Sequence, residues 1–139
     1  MISRVLVAMD DSEMAEQALR YALEAFPDAS VTAFTVVGEP SPMFGQATSI
    51  ALADDVEEAA EEHAATVFER ARELAADYDT EIDTDVQLGN PIRAIINRAE
   101  DFDTVVIGSH GGNLSDTLVI GNVAEKVFRR SPVPVTVVR

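Results

Sequence analysis

Segments with strand periodicity and segments with helix periodicity alternate along this 139-residue chain, and that alternation restricts the fold more than any other feature. Short runs that are rich in β-branched residues, or that alternate between polar and apolar side chains, predict strands at residues 5–9, 31–37, 81–88, 104–107 and 132–138. Apolar residues spaced three or four apart predict helices at residues 12–26 and 50–77, from residue 91 onward, and at residues 121–130. This succession is typical of right-handed crossovers and a parallel sheet.

The third and fifth strands have the features of edge strands. Residues 81–88 alternate strictly between polar and apolar side chains, which indicates a strand with one exposed face. Pro132 and Pro134 cannot donate backbone hydrogen bonds, so the last strand is also expected at an edge. The sequence therefore predicts an α/β fold, a single doubly wound domain over residues 1–139. Its five-stranded parallel sheet has the order 3-2-1-4-5 and helices on both faces.

The charge balance of the chain is strongly acidic. The formal net charge is −15, and Lys126 is the only lysine. A nucleic acid partner is not expected, because binding a duplex needs basic side chains that displace counterions. The composition instead suggests a halophilic protein from a high-salt cytoplasm, where the screening length falls to about 3 Å at 1 M salt. Such screening would allow a small polyphosphate to approach an acidic surface.

Several protein classes are disfavoured by what the sequence lacks. No apolar run approaches the roughly 20 residues of a membrane helix, so no membrane association is expected. The chain enters its first strand without the features of a signal peptide, and a cytoplasmic location is the default expectation. Cysteine is absent, and His63 and His110 are too few for a histidine-rich site, so no metal ligands are predicted.

Ligand-binding residues are expected where the carboxyl ends of the strands meet, at the switch point between the first and fourth strands. Met9 and Asp10 follow the first strand, and Val36 lies at the end of the second. Asp10 also has a purely structural interpretation, because its spacing to Glu13 fits a capping box at the start of the first helix.

The loop after the fourth strand has the spacing of a phosphate-binding loop. Two glycines separated by two residues are followed, after nine more residues, by a third glycine at a helix start; the residues concerned are Gly108, Ser109, His110, Gly111, Gly121, Asn122 and Val123. Glycines let backbone amides approach phosphate oxygens, and the helix start adds partial positive charge. Alternatively, these glycines only make a turn and begin a helix. His110 could contact phosphate when protonated, or face solvent.

The glycine pattern, the first strand with Asp10, and Gly89-Asn90-Pro91 together resemble the universal stress protein family over nearly the whole chain. The resemblance implies that Asp10 and the backbone of Val36 line an adenosine pocket. It further implies that Gly108, Gly111, Gly121 and their neighbours hold the ribose and phosphates of ATP or another adenine nucleotide, which Mg²⁺ could accompany. It also implies a role in stress response and a homodimer formed through the edge strand at residues 133–138.

One position departs from the family pattern, and three functions stay open. Asn122 stands where the family usually has Ser or Thr, whose hydroxyl contacts the terminal phosphate.

The first hypothesis is a regulatory nucleotide-binding protein whose nucleotide state alters the loop at residues 38–49, or the dimer, and so signals to a regulatory partner protein. The second is a slow ATP hydrolase, although no nucleophile with its base and no Walker lysine stands out, so no catalytic residue is predicted. The third is a protein-interaction module that has lost nucleotide binding, which Asn122 favours.

Overall fold

The structure is a computed structural model that describes residues 1–38, 53–110 and 121–139. The predicted alternation of strands and helices is confirmed. The strands are β1 (Arg4–Ala8), β2 (Ser30–Val37), β3 (Asp83–Leu88), β4 (Thr104–Gly108) and β5 (Val135–Val138). The helices are α1 (Glu13–Ala25), α2 (Ala53–Ala76), α3 (Pro91–Ala99) and α4 (Asn122–Arg130). Residues 39–49 of the predicted loop, and residues 50–52 at the predicted start of the long helix, lie outside the described ranges.

The five strands form one parallel sheet in the predicted order, β3-β2-β1-β4-β5. β1 lies at its centre, where Val5 pairs with Val31 of β2 on one side and with Thr104 of β4 on the other. From β1 the chain adds β2 and β3 on one side of the sheet, and it then adds β4 and β5 on the other side, so the switch point lies between β1 and β4. Their carboxyl ends therefore diverge into loops and helices on opposite faces, which opens the crevice in which such sheets bind ligands.

The apolar residues of β1 divide between two hydrophobic clusters, one on each face of the sheet. Val5 and Val7 pack with buried residues of α1 and α2, whereas Leu6 packs with buried residues of α3 and α4. Helices on both sides explain why the central strands are apolar at successive positions instead of at alternate ones.

The start of α1 differs from the predicted capping box. Ser12 is the N-cap residue, and its hydroxyl accepts a hydrogen bond from the amide of Ala15. Asp10 lies two residues earlier, and its carboxylate accepts hydrogen bonds from the backbone N–H and the hydroxyl of Ser12. The capping interpretation of Asp10 is therefore wrong: Asp10 positions the N-cap residue and does not cap the helix itself.

Two large apolar residues, one in α4 and one in β3, are exposed. Phe128 of α4 is 61% exposed and Leu88 at the end of β3 is 43% exposed. In α4 the buried residues are Ala124 and Val127, which lie three positions apart on one face. Because successive helix residues are rotated by about 100°, Phe128 lies about 100° around the helix from the buried Val127.

The amino-terminal end of the sheet is held together by contacts between distant segments. The Asp103 carboxylate accepts hydrogen bonds from the backbone amides of Ser3 and Arg4, at 2.8 and 2.9 Å. The buried ring of Phe102 lies beside the guanidinium groups of Arg4 and Arg98, whose central carbons are 4.9 and 5.6 Å from its centroid. These contacts fix the end of the sheet opposite to the crevice. In the described ranges, no helix is both long and apolar enough to cross a bilayer.

Candidate functional site

A cavity of about 420 Å³ lies at the carboxyl ends of β1, β2 and β4, at the predicted switch point. That volume is within the range of pockets that hold small organic ligands. The lining comes from the ends of these strands and from the first turns of α1, α3 and α4, and consists of Ala8, Met9, Asp10, Ser12, Ala15, Phe34, Val36, Pro91, Ile95, Ile107, Gly108, His110, Gly121, Asn122, Val123 and Ala124.

The structure brings most of the predicted site residues together around this cavity. Those that line it are Met9, Asp10, Val36, Gly108, His110, Gly121, Asn122 and Val123. Ser109 is buried behind the lining, where its backbone N–H donates to the carbonyl of Val138 at 2.7 Å. Gly111 lies outside the described residues.

Ser109 holds the two ends of the glycine-rich loop in place. Its carbonyl accepts a hydrogen bond from the amide of Gly121, which brings the start of α4 against the end of β4. Its hydroxyl lies 3.1 Å from Nδ1 of His110, which orients the imidazole at the cavity wall. Ser109 therefore supports the site from behind, by fixing the positions of Gly121 and His110.

One wall of the cavity is apolar, and its α3 part was not predicted as part of the site. Phe34, Ile95 and Ile107 are buried and line the cavity together with Pro91. A sequence signal for this part of the wall is present, because Ile95 is one of the apolar residues spaced three or four apart that predict α3. In the structure this part of α3 also lines the cavity, through Pro91 and Ile95. A flat apolar wall of this kind suits an aromatic ring.

Asp10 is the only negatively charged side chain among the described lining residues. Its position is fixed because Oδ1 accepts the amide of Ser12 at 2.8 Å, while the backbone N–H of Met9 donates to the carbonyl of Phe34 at 2.8 Å. Asp10 is exposed to solvent on the cavity side. It can accept hydrogen bonds from a ligand's hydroxyl groups through the oxygen that Ser12 does not occupy.

The start of α4 supplies hydrogen-bond donors to the opposite side of the cavity. α1 and α3 are capped by side chains, since Ser12 accepts from Ala15 and Asn90 accepts from Arg93 at 3.1 Å. α4 instead has Gly121 as its N-cap residue, which has no side chain to accept a hydrogen bond from the first turn. The amides of the first helical turn have no partner within a helix, so the start of α4 offers donors and partial positive charge to a ligand.

The model of the universal stress protein family matches residues 1–139. The chain belongs to this family. Universal stress protein YxiE of Bacillus subtilis is 27% identical over 148 residues, which cover all of both chains. The structure of universal stress protein UspA from Lactobacillus plantarum superposes with a TM-score of 0.82 at 23% identity, covering 99% of this chain and 98% of that one.

A third member of the universal stress protein family was crystallised in complex with cAMP. It is 23% identical to this chain, with a TM-score of 0.70 and coverage of 99% of this chain and 96% of the other. At this level of identity both structural similarities show a shared fold.

Asn122 is the residue for which the resemblance described in the sequence analysis implies Ser or Thr. Asn122 is exposed at the first position of α4 and lines the cavity. Its amide can donate a hydrogen bond to a phosphate oxygen, but from a longer side chain than that of Ser or Thr. In the described residues no group of three or more His, Cys, Asp or Glu side chains could hold a metal ion.

Proposed function

We propose that this cavity binds an adenine nucleotide, ATP or another, and that the chain acts as a regulatory stress-response protein with one nucleotide-binding domain over residues 1–139. The observation that carries the proposal is the arrangement of three different surfaces around one cavity. An apolar wall, a fixed carboxylate and an uncapped helix start face the same space. These surfaces match a purine ring, a ribose and a phosphate group, respectively.

The contacts expected from each part of the nucleotide follow from this arrangement. The base lies against Phe34 and Ile95, with the backbone of Val36 beside it. The ribose hydroxyls donate to Asp10. The phosphates accept hydrogen bonds from the amides of Asn122 and Val123. They also lie near His110, Gly121 and Gly111 of the glycine-rich loop. Mg²⁺ arrives with the phosphates.

A homodimer is the proposed assembly. β5 (Val135–Val138) pairs with β4 on one side, and its other edge ends the sheet. No strand in the described part of the chain pairs with that edge, so its backbone groups are offered to a two-fold related copy through residues 133–138. A regulatory partner protein would respond to the nucleotide state through this dimer or through the loop at residues 38–49.

A pair of matched charge substitutions tests nucleotide binding. Asn122→Asp places a carboxylate where the phosphates are proposed to bind, and Asn97→Asp makes the same change at an exposed position of α3 outside the cavity lining. We expect calorimetric titration with AMP, ADP and ATP, in molar KCl with Mg²⁺, to show binding to the wild type and to Asn97→Asp. Asn122→Asp should bind at least about tenfold more weakly, because it adds a like charge beside the phosphate.

Asn122 also favours a second candidate function, a protein-interaction module that has lost nucleotide binding. The two functions give opposite results in the same titration. If none of the three nucleotides binds to the wild type under conditions in which circular dichroism shows it folded, nucleotide binding is excluded and the interaction module is supported. Equal affinities of Asn122→Asp and Asn97→Asp would instead place the phosphates away from α4.

A further inference from the structure

The charged residues of the helices are divided unequally between the two faces of the sheet. α1 and α2, which cover one face, contain eleven Asp and Glu residues and three Arg residues. α3 and α4, which cover the other face, contain five Lys and Arg residues and one Glu residue. Half of the ten basic residues of the chain therefore lie in two short helices, although the formal net charge is −15.

The positions of these basic residues are only partly explained by the helix dipole. Arg98, Arg129 and Arg130 lie in the last turns of α3 and α4, where a positive charge is favourable. α1 and α2 have no basic residue in their last turns, so the dipole does not require one. Arg93 and Lys126 lie earlier in their helices. The positive charge is therefore a property of this face and not of helix ends in general.

Salt bridges neutralise part of this charge. Arg98 binds two carboxylates at 2.7 Å, one from β3 and one from the turn after α3, and Arg129 binds the acidic residue of α4 at 3.3 Å. An exposed carboxylate, Glu100, directly follows α3. Within the described ranges, no salt bridge involves the other three basic residues of the two helices, Arg93, Lys126 and Arg130. Their charges can therefore serve a partner.

Two half-buried isoleucines lie on the flank of α3 that faces α4. The opposite flank faces β3, since Arg98 Nε is 2.7 Å from Asp85 of that strand. Ile92 and Ile96 lie about 120° and about 160° around the helix from Arg98. Neither isoleucine belongs to the two hydrophobic clusters of the described residues. Because α3 and α4 pack side by side, Ile92 and Ile96 border the groove between the two helices.

The other side of this groove is basic. Val123 of α4 lines the cavity together with Ile95 of α3, so the flank that carries Val123 faces α3. Lys126 and Arg130 lie three and seven positions after Val123, which places them on the same flank. Phe128 lies two positions from each of them and is on the other flank, away from α3. A homodimer formed through β5, which α4 contacts and α3 does not border, leaves the groove accessible.

We infer that the groove between α3 and α4 binds an amphipathic helix of a partner protein, one with apolar residues along one face and acidic residues beside them. The surface consists of Ile92, Arg93, Ile96, Lys126 and Arg130. The isoleucines contact apolar side chains spaced three or four residues apart, and the three cations pair with the flanking carboxylates. The acidic face of α1 and α2 repels such a helix, so charge directs it to this groove.

A nucleic acid fits this surface less well than an acidic helix. A duplex is held by many phosphate contacts, whereas this surface offers three unpaired cations and the chain as a whole repels phosphates at long range. Phosphates would also leave the two isoleucines uncovered. The inference goes beyond the proposed nucleotide site and does not depend on it, because none of the five residues lines the cavity.

A synthetic helical peptide of Glu, Leu and Ala, with Leu along one face and Glu on both flanks, tests the inference. It is titrated into the ¹⁵N-labelled protein at the lowest KCl concentration at which circular dichroism shows the folded state. We expect the shifted amide signals to belong to α3 and α4, and the affinity to fall as KCl is added. A peptide with Ala in place of Leu should bind more weakly. Absence of binding at millimolar peptide, or shifts confined to α1 and α2, would overturn the inference.

Matched charge reversals test the position of the surface. Arg93→Glu combined with Arg130→Glu reverses two of the three cations and should weaken peptide binding at least about tenfold. Arg20→Glu combined with Arg72→Glu makes the same change in net charge at exposed residues of α1 and α2, and should change the affinity less than about twofold. Equal losses in the two double variants would overturn the inference, since net charge alone would then govern binding. If the first variant does not fold, Arg93→Gln combined with Lys126→Gln replaces it.

Two further measurements identify other occupants of the surface. A short DNA duplex that binds more tightly than the peptide, with shifts at the same residues, would assign the surface to nucleic acid. Analytical ultracentrifugation that shows association of the wild type beyond a dimer, lost in the variant with Arg93→Glu and Arg130→Glu, would assign it to a second copy of this chain. Either result would overturn the inference, and we expect neither.

Discussion

The Cα of Gly108 lies so close to Met14 that a Cβ atom at position 108 would be 3.0 Å from both the Cβ and the carbonyl oxygen of Met14. The first glycine of the glycine-rich loop is therefore required by the packing of β4 against α1. This requirement exists whether or not a phosphate is bound. It brings α1, and with it Ser12 and Asp10, against the end of β4.

Gly108→Ala should destabilise the protein by about 1–3 kcal/mol, because the added methyl group meets the backbone of α1 and forces the helix away from the strand. Gly38→Ala is the matched control, since a Cβ there would meet no atom within 4 Å. Urea unfolding monitored by circular dichroism measures both changes. Equal stabilities of the two variants would contradict the tight packing of β4 on α1.

Two salt bridges of different exposure should contribute unequally to stability. Arg98 Nε is 2.7 Å from Asp85, and both side chains are about one-third exposed. Arg129 Nε is 3.3 Å from Glu125, and both side chains are at least half exposed. Double-mutant cycles on the free energy of unfolding should give a coupling of about 1 kcal/mol for the first pair and close to zero for the second. Similar coupling energies for the two salt bridges would show that their difference in solvent exposure does not change their contribution to stability.

The acid side of the stability profile should depend on Asp103. Hydrogen bonds from the backbone amides of Ser3 and Arg4 stabilise its carboxylate and lower its pKa from the ordinary value of 3.8. Since the pKa is lower in the folded state, the carboxylate contributes stability that is present above pH 3.8 and is lost as the pH falls through the folded pKa.

Asp103→Asn should therefore lower stability at neutral pH and flatten the loss of stability in acid. Asp28→Asn, at an exposed residue of the turn before β2, should preserve the wild-type slope. Urea unfolding at a series of pH values below neutrality measures the slopes. A slope for Asp103→Asn as steep as that of the wild type would assign the acid sensitivity to other carboxylates.

Tyr78 should ionise at unusually high pH. Its hydroxyl donates a hydrogen bond to Glu24 at 2.7 Å, which requires the protonated phenol and raises its pKa above the ordinary value of 10.0. The stabilising contribution is complete below pH 10.0 and is lost as the pH rises through the folded pKa. Ultraviolet titration of Glu24→Gln, compared with the wild type, should show the ionisation of Tyr78 moving to lower pH. An unchanged titration curve would show that the bond to Glu24 does not hold the proton.

Much of the fold followed from sequence patterns because each pattern reflects one physical requirement. The alternation in residues 81–88 and the prolines near β5 indicated the two edges, and the order of the sheet then determined where the strands open a crevice. Met9 and Asp10 directly follow a strand, and strand direction alone places such residues at the edge where the cavity lies.

The remaining features depend on contacts between segments that are distant in sequence. The capping box spacing of Asp10 and Glu13 could not reveal that Ser12 takes the N-cap position, because several residue types cap helices equally well. The role of Ile95 in the cavity depends on its packing beside Phe34 and Ile107, which come from two different strands. The exposure of Phe128 depends on the rotation of α4 about its axis. A spacing of three or four residues determines that rotation only to within one residue position, so it does not show whether Phe128 faces the core or solvent.

The central position of β1 also determines when the cavity can form during synthesis of the chain. Val5 pairs with Thr104, about a hundred residues later, and the cavity needs the start of α4, which is later still. A nascent chain on the ribosome can pair β1 with β2 early, but it has no complete cavity until residues beyond 121 have emerged. The site therefore matures as one of the last parts of the molecule, so ligand can stabilise the finished protein and gives no support to its earlier folding intermediates.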